Sequence, residues 1–301
     1  MSWLVFALSG PILWAISTHL DKYLVEKYFK DSNVAVMLVF TALTGALTLP
    51  FIAWHDPAAL ALPAASATLI AFSGLLYMGA MLFYLRALQS EEASVIAPFY
   101  QASPLFGYVL AYAVLGETLT GVQMIGGILV VTGTLLVSWR SGAQQGFKAR
   151  TTALMLACAL ALAVSSLIFK AFSLRDEFWP TTFWMFAGQA LFGVLLLAIG
   201  PFRRQFVNLL RSNLGALLTV NAVNELVNLG GSLGMRYALT LAPLSLVQAV
   251  GSTTSLFVFG FGVALSLLWP SFGRESVSSR DLIRKGGAAL LVCAGIVLIT
   301  R

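Results

Sequence analysis

The sequence has little charge and few residues that carry catalytic or metal-binding chemistry. Asp, Glu, Lys and Arg make up 10% of its 301 residues, and it has two cysteines and two histidines. So little charge cannot cover the surface of a water-soluble domain of this length. Cys158 and Cys293 both lie in apolar segments, which argues against a disulfide or a thiol-bound metal. There is no Walker loop, zinc signature or dinucleotide fingerprint, so the sequence predicts no cofactor.

The sequence has long apolar runs instead. Hydrophobic residues make up 59% of the chain, and its mean hydropathy is +0.88. The runs are about 18 to 25 residues long, which is the length that a helix needs to cross the hydrocarbon core of a bilayer. We therefore predict an all-α polytopic integral membrane protein, solvated by the lipid bilayer. Ten transmembrane helices are predicted near residues 2–22, 33–54, 65–88, 93–115, 121–139, 149–172, 181–200, 213–236, 241–269 and 282–300.

A polar linker, RSGAQQGFKAR, separates the first five predicted helices from the last five. We predict a first five-helix repeat over residues 1–140, a linker over 141–148 and a second five-helix repeat over 149–301. A shift of 151 residues aligns Ala87-Leu88 with Ala238-Leu239. Because five is an odd number, the second repeat enters the membrane from the opposite side, which makes the two halves an inverted repeat. Secondary transporters with a site near the membrane midplane typically have this architecture.

One stretch of the first half, from Ala87 to Val137, resembles a known family. Its features, in chain order, are an Ala-Leu pair ending span 3, a proline-bearing span 4, Gly116-Glu117 followed by Thr118, and Gly126 and Gly133 in span 5. Their order and spacing are similar to the EamA family of the drug/metabolite transporter superfamily. The second half keeps Ala238-Leu239, Glu275 and Gly295, with a longer insertion at the junction. The resemblance implies metabolite transport without an ATPase subunit and indicates no particular substrate.

Lysines and arginines are unevenly distributed between alternate connections. The connections after spans 1, 3, 5, 7 and 9 contain fourteen of them, against four elsewhere, which are Lys170, Arg175, Arg236 and Arg301. By the positive-inside rule, both termini are extracytoplasmic in a multi-pass protein of the cell (inner or plasma) membrane. No basic cluster is interleaved with aromatics, so the net charge of +6 indicates topology rather than a nucleic-acid partner.

Predicted span 8 carries a polar stripe. Five polar side chains share one helical face: Asn221, Asn224, Glu225, Asn228 and Ser232. A carboxylate near the middle of a span is costly when ionised and is usually functional. Glu225 is therefore our candidate for proton coupling or for binding a cationic group, and the asparagines are candidates for hydrogen bonds to a substrate. The alternative is a hydrogen-bonded seam, since amides hold membrane helices together.

Span 1 ends in a second polar group. Four side chains recur at helical spacing: Trp14, Ser17, Thr18 and Asp21. The indole and the hydroxyls could bind an organic solute, and the adjacent Lys22 could bind an anionic group or pair with Glu225. A lysine at the end of a span also commonly extends to the membrane interface, so both interpretations stay open.

Three further polar residues are candidates for the site. A shift of 148 residues aligns Lys22 with Lys170 in span 6, so we interpret Lys170 in the same way. Gln101 in span 4 and Gln248 in span 9 are single polar groups in long apolar helices. Each could line a central site or bridge two helices.

The segment Gly230–Gly234 matches the G-x-S-x-G motif of serine hydrolases. That mechanism needs a strand, a turn and a helix around the serine, together with a histidine base, whereas Ser232 falls in a predicted membrane helix. The same glycines form a G-x-x-x-G helix-packing motif, which is the better interpretation. We therefore predict no enzyme, and an intramembrane serine hydrolase is the alternative outside transport.

Taken together, these patterns predict a secondary transporter that moves a small polar or amphipathic organic metabolite by alternating access, coupled to protons or to exchange. The alternative within membrane transport is a flippase for lipids or lipid-linked phosphates, with Lys22 and Lys170 as successive phosphate sites. Both halves lie in one chain, so a monomer could form a complete pathway, and a homodimer is equally compatible.

Overall fold

Helices make up all the regular structure in residues 2–28, 34–90, 99, 102–138, 149–268 and 279–301, which are the residues that the computed structural model describes. The α-helices in these ranges are α1 (Ser2–Tyr28), α2 (Met37–His55), α3 (Ala64–Ser90), α4 (Ala102–Leu115), α5 (Gly121–Ser138), α6 (Ala149–Ser173), α7 (Phe178–Ala198), α8 (Gly200–Leu241), α9 (Leu244–Gly251), α10 (Thr254–Leu268) and α11 (Ser279–Ile299). Short 3₁₀ helices lie at Val34–Val36 and Pro57–Ala61. The all-helical prediction is confirmed.

Six segments of the described residues are long and apolar enough to cross a membrane. They are Ser2–Asp21, Met37–His55, Ala64–Ala87, Arg150–Ser173, Phe178–Ala198 and Leu244–Leu265, and shorter apolar helices lie at Ala102–Leu115, Gly121–Leu136 and Gly286–Ile299. Large apolar side chains are exposed on the outside of the bundle, among them Leu47, Phe51 and Val194. Surfaces of this kind are favourable in lipid and unfavourable in water. The structure therefore fits a multi-pass membrane protein.

Helix α8 begins before the predicted span at 213–236 and ends after it. Its first turns carry the exposed Arg203 and Arg204, which ended the apolar run in the sequence. Phe206 and Leu209 on the opposite face of these turns are buried. Packing of this amphipathic face extends the helix, and a search for continuous apolar runs does not detect it.

The segment predicted as span 9, at 241–269, is divided into α9 and α10. Where the two helices meet, the hydroxyls of Ser252, Thr253 and Thr254 each donate to a backbone carbonyl three residues earlier, at 2.6 to 2.7 Å. Such bonds compete with helical hydrogen bonds and bend or interrupt a helix. Span 9 is thus discontinuous. Of the predicted span 4, at 93–115, the described helix is α4.

The helices pack in a few extensive pairs, of which the largest are α1 with α8, α5 with α11, α3 with α6, and α7 with both α2 and α3. At one end of the bundle, which we call the Phe6 end, the ring of Tyr237 near the end of α8 contacts Phe6 of α1 and Phe178 of α7. At the opposite end, which we call the Phe40 end, Phe40 of α2 contacts Phe206 of α8. The two ends define a pathway direction along the bundle.

The glycines of the EamA-like motif in span 5 lie at the contact between α5 and α11. A Cβ atom on Gly126 would lie 2.8 Å from the backbone oxygen of Gly295, and one on Gly133 would lie 2.7 Å from a methyl group of Val292. Cβ atoms do not approach other atoms this closely without a shift of the backbone or side chain. Glycine at these positions therefore allows the two helices to pack closely.

We expect Gly126→Ala to destabilise the protein, whereas its neighbour Gly127→Ala is tolerated because a Cβ atom there meets no atom within 4 Å. Overpacking of a close contact costs about 1 to 3 kcal/mol, which lowers Tm by roughly 2 to 10 °C in a protein of this size. Thermal unfolding of the two purified variants in detergent measures the difference. Equal Tm values would contradict close packing of α5 on α11.

Candidate functional site

Polar side chains connect α1 to α8 inside the protein. Asn224 on α8 donates from Nδ2 to Oδ1 of Asp21 at 2.6 Å, and its Oδ1 accepts from the Ser17 hydroxyl at 2.8 Å. Asn224 and Ser17 are both buried. The polar faces predicted for spans 1 and 8 therefore meet, and Asn224 forms a hydrogen-bonded seam between the two helices.

We expect Asn224→Leu to lower the free energy of unfolding by about 1 to 3 kcal/mol, because it leaves Asp21 and Ser17 without this partner in the interior. Ser17→Ala removes a single donor and is expected to cost less, about 1 kcal/mol. Thermal unfolding of the two variants beside the wild type measures both effects. An Asn224→Leu protein as stable as the wild type would show that the seam does not contribute to stability.

Glu225 faces a cavity that lies between α2, α3, α7 and α8. The residue is 6% exposed, and Thr41 on α2 donates a hydrogen bond to its Oε1 at 2.9 Å. The cavity is small: the centre of a water-sized sphere can occupy about 20 Å³ of it, which is room for one or two water molecules. Tyr77, at the midpoint of α3, also lines it, so the cavity lies about halfway along the helices. A titratable side chain thus lines an internal space at mid-depth.

The cavity combines hydrogen-bonding groups with aromatic and apolar surface. Its lining consists of Thr41, Thr44, Gly45, Tyr77, Phe186, Gln189, Glu225, Asn228, Leu229 and Ser232. Gln189 is 3% exposed, and its Nε2 donates no hydrogen bond within the described part of the chain. A buried amide donor without a partner is unfavourable, so Gln189 can donate a hydrogen bond to a molecule in the cavity.

The sequence indicated some of this lining and missed the rest. Glu225, Asn228 and Ser232 belong to the predicted stripe of span 8, because helical periodicity within one helix brings them together. Gln189 and Tyr77 were not among the predicted candidates, although Gln189 is the one amide side chain of α7. Gln189 is the same kind of residue as the candidates Gln101 and Gln248, and that criterion applied to α7 would have found it.

Arg236 lies beside the cavity within α8. It is 7% exposed, and its guanidinium carbon lies 5.7 Å from the ring centre of Tyr77, 5.8 Å from that of Phe169 and 5.0 Å from that of Phe186. One guanidinium nitrogen, Nη1, has no hydrogen-bond partner within the described residues. Predicted span 8 ends at Arg236, whereas the helix continues to Leu241 and Arg236 packs among aromatic side chains within it.

The Gly116-Glu117 junction belongs to a partly buried ionic cluster, in which Lys170 is buried and Glu117 is 17% exposed. Gly116 has a φ of +66°, a region that glycine adopts without strain. Glu117 forms an ion pair with Lys170 on α6, and its Oε2 accepts from the backbone N–H of Leu244 at 2.9 Å. Lys170 also donates to the backbone oxygen of Ala242. We call these residues the Glu117–Lys170 latch, and it joins the first half of the chain to the second.

The latch lies at the Phe6 end of the bundle, because Phe169, the neighbour of Lys170, packs against Phe178 with ring centres 6.0 Å apart. Lys170 was predicted as a substrate-binding candidate. The structure gives it a carboxylate partner and places it outside the cavity lining.

The remaining residues predicted on α1 and α8 lie next to the seam. Trp14 packs against Gly231, where a Cβ atom would lie 3.1 Å from the indole nitrogen. The Thr18 hydroxyl donates a hydrogen bond to the backbone oxygen of Trp14 at 2.8 Å, so this donor is already paired within α1. Asn221 is buried. None of the three predicted residues is part of the cavity lining.

Three predicted candidates lie away from the cavity or beyond the described structure. Gln248 on α9 packs against Gly107 of α4, where a Cβ atom would overlap its Oε1. This contact places Gln248 between two helices rather than in the cavity. Gln101 and the side chain of Lys22 lie outside the described residues.

Ser232 lies in the interior of α8, and the described ranges contain no strand that could form a nucleophile elbow. His19 forms a hydrogen bond to the backbone oxygen of Val258, and the His55 ring packs against Trp179. Neither histidine lines the cavity beside Ser232. The geometry that a serine hydrolase needs is therefore not formed here, whereas α1 packs closely along Gly230–Gly234.

Comparison with known proteins agrees with this architecture. One solved chain, described as "Crystal structure of protein", has the same fold with a TM-score of 0.71. The alignment covers 100% of this chain and 96% of that chain at 14% sequence identity, so the likeness concerns the fold alone. No curated protein matches the sequence.

Residues 1–139 match the EamA-like transporter family. The EamA-like region contains the Gly116-Glu117 junction of the latch and the glycines Gly126 and Gly133 that pack on α11. It also contains Thr41 and Tyr77, which line the cavity beside Glu225. The first half of the chain is thus similar to a transporter family, and the apolar helices indicate a multi-pass membrane protein.

Proposed function

We propose that the protein is a secondary transporter that moves a small polar or amphipathic organic solute through the Glu225 cavity by alternating access, coupled to protons. The observation that carries the proposal is a buried carboxylate lining a mid-depth cavity, with a hydrogen bond from Thr41. An ionised carboxylate is costly at this depth unless it is paired. Among the described residues no cation forms an ion pair with Glu225, so a proton or a cationic group of the solute is its natural partner.

We further propose ten transmembrane helices arranged as two inverted five-helix repeats. Such a repeat relates span 1 to span 6 and span 3 to span 8, so it relates the pair α1–α8 to the pair α6–α3. Both are among the most extensive helix pairs in the described structure. The pairs α2–α7 and α5–α11 each combine corresponding spans of the two halves, and both are also extensive. This pairing supports the repeat.

The exposed arginines support an orientation with the Phe40 end in the cytoplasm and both termini outside. Arg86, Arg150, Arg203, Arg204 and Arg211 are exposed and lie on helix segments near the Phe40 end. Basic residues at membrane boundaries are enriched on the cytoplasmic side. In this orientation the Glu117–Lys170 latch closes the extracytoplasmic end of the bundle. The two halves form the pathway within one chain, in the cell membrane, as a monomer or in each subunit of a homodimer.

The flippase alternative has less support. It requires Lys170 to be a free phosphate-binding cation, and in the structure Lys170 is paired with Glu117 and donates to Ala242. The cavity beside Glu225 lies between four helices and has its own hydrogen-bonding groups, which suits a polar solute rather than a lipid.

A thermal-shift screen of the purified protein against metabolites and lipid headgroups tests the proposal. We expect at least one soluble metabolite to raise Tm in the wild type and to accumulate in proteoliposomes without ATP. Glu225→Gln is expected to reduce the thermal shift. Stabilisation by lipid headgroups alone would favour the flippase instead.

A further inference from the structure

Arg236 is a buried cation without an anionic partner in the described structure. Both ion pairs formed among the described residues involve other cations, Lys170 and Arg175. Three aromatic rings surround the guanidinium, and they stabilise its charge while leaving Nη1 unpaired. An unpaired buried arginine is rare in a membrane protein and usually marks a ligand or ion pathway.

Arg236 is not part of the cavity lining, but it lies directly behind two residues that are. Two of its three aromatic neighbours, Tyr77 and Phe186, also line the cavity, as does Ser232 one helical turn earlier on α8. Gln189, one turn after Phe186 on α7, contributes a second unpaired donor, its Nε2. Two donors of buried side chains are therefore available at the cavity or beside it, and neither has a partner in the described part of the chain.

Charge balance between Arg236 and Glu225 indicates what the cavity binds. The two residues lie on α8, separated by roughly 16 Å of helix axis at the usual helical rise, which is too far for a direct ion pair. Neither has an oppositely charged ion-pair partner among the described residues. An oxyanion would neutralise Arg236, and a proton would neutralise Glu225, so uptake of both together leaves the net charge of the site unchanged.

We propose, on the basis of the proposed transport function, that the solute carries an oxyanion, a carboxylate or a phosphate, which binds to Arg236 and Gln189. The oxyanion is transported together with a proton held by Glu225. Arg236 supplies planar guanidinium donors suited to an oxyanion. Gln189 adds a neutral donor, and the rings of Tyr77 and Phe186 enclose the organic part.

Matched pairs of probes test the charge of the solute in the wild type. The acids are succinate, phenylacetate and glycerol 3-phosphate, and their uncharged partners are dimethyl succinate, methyl phenylacetate and glycerol. We expect at least one acid to raise Tm and its uncharged partner to have no effect. Equal shifts within every pair, or no shift by any acid, would overturn the proposal. Phosphatidic acid in bicelles, compared with glycerol 3-phosphate, distinguishes a lipid-linked phosphate from a free one.

Single substitutions test whether Arg236 and Gln189 bind the oxyanion. Arg236→Gln is expected to weaken binding of the active acid at least tenfold in isothermal titration calorimetry, and Gln189→Leu to weaken it several-fold. Arg175→Gln is the matched control, because Arg175 is an exposed arginine in the turn after α6. The Arg175→Gln protein should bind the active acid with the affinity of the wild type. Gln189→Leu keeps the test valid if Arg236→Gln does not fold. Wild-type affinity in both site variants would contradict the proposal.

The outcomes separate this inference from the proposed function. Glu225-dependent transport of a neutral or cationic solute, with no binding of any acid, would overturn the oxyanion site and leave the transporter intact. Binding of an acid that depends on Arg236, without transport into proteoliposomes, would support the oxyanion site and contradict the transporter.

Discussion

Glu225→Gln should remove the dependence of transport on an imposed pH gradient. The amide has the shape of the carboxylic acid and can still accept from Thr41, but it cannot take up or release a proton. Loss of a charge-assisted interaction with the proton or the solute corresponds to a decrease of about 10- to 100-fold in the coupled rate. The solute found by thermal-shift screening is used for the measurement. Its uptake into proteoliposomes is measured with a pH gradient of either sign.

The control for this variant is Glu177→Gln, since Glu177 is an exposed carboxylate in the turn between α6 and α7. It should transport at the wild-type rate with the wild-type response to pH. The charged and titratable neighbours Asp21 and Tyr77 remain unchanged in both variants, so a difference between them reports on Glu225. A Glu225→Gln protein that keeps its response to the pH gradient would contradict proton coupling through this residue.

Lys170→Met should be among the most destabilising single substitutions in the chain. It leaves Glu117, which is 17% exposed, with its bond from Leu244 but without the cation, and the cost approaches the roughly 3 to 5 kcal/mol that is typical for removal of one partner of a fully buried pair. Glu117→Leu should be similarly harmful, because Lys170 then stays buried without an anion. The double variant should recover much of the loss, since two apolar side chains leave no isolated charge.

A double-mutant cycle by thermal unfolding measures this coupling. Variants that still fold should also open more readily at the Phe6 end, because the latch joins the loop after α4 to α6 and α9. Additive losses of stability in the two single variants, with no recovery in the double variant, would show that Glu117 and Lys170 do not act as a pair.

The polar face of a single helix was predictable from the sequence, whereas the contacts between helices were not. The faces that contain Asn224 on α8 and Ser17 and Asp21 on α1 follow from helical spacing, and the structure joins them by hydrogen bonds. Arg236 and Gln189 reach the cavity region through the packing of α3, α6, α7 and α8. Single-helix periodicity contains no information on that packing.

The Gly116-Glu117 junction shows a second limit of the sequence patterns. The sequence indicated a family-like motif there, and the positive φ of Gly116 explains the glycine. The partner of Glu117 is Lys170, more than fifty residues away and predicted as a substrate site. Apolar runs likewise predicted helical spans, but they did not reveal the amphipathic start of α8 or the break between α9 and α10, which depend on packing and on hydroxyl–backbone bonds.

Alternating access to the cavity is the central claim, and labelling of a single cysteine at Thr44 tests it most directly. Thr44 lines the cavity, and Cys158 and Cys293 are replaced by alanine to leave one thiol. A membrane-impermeant maleimide is applied to sealed vesicles of both orientations. We predict labelling from either face, with Glu117→Gln increasing the rate from the face at the Phe6 end. Labelling from one face only, whatever the solute, the pH or the state of the latch, would contradict alternating access.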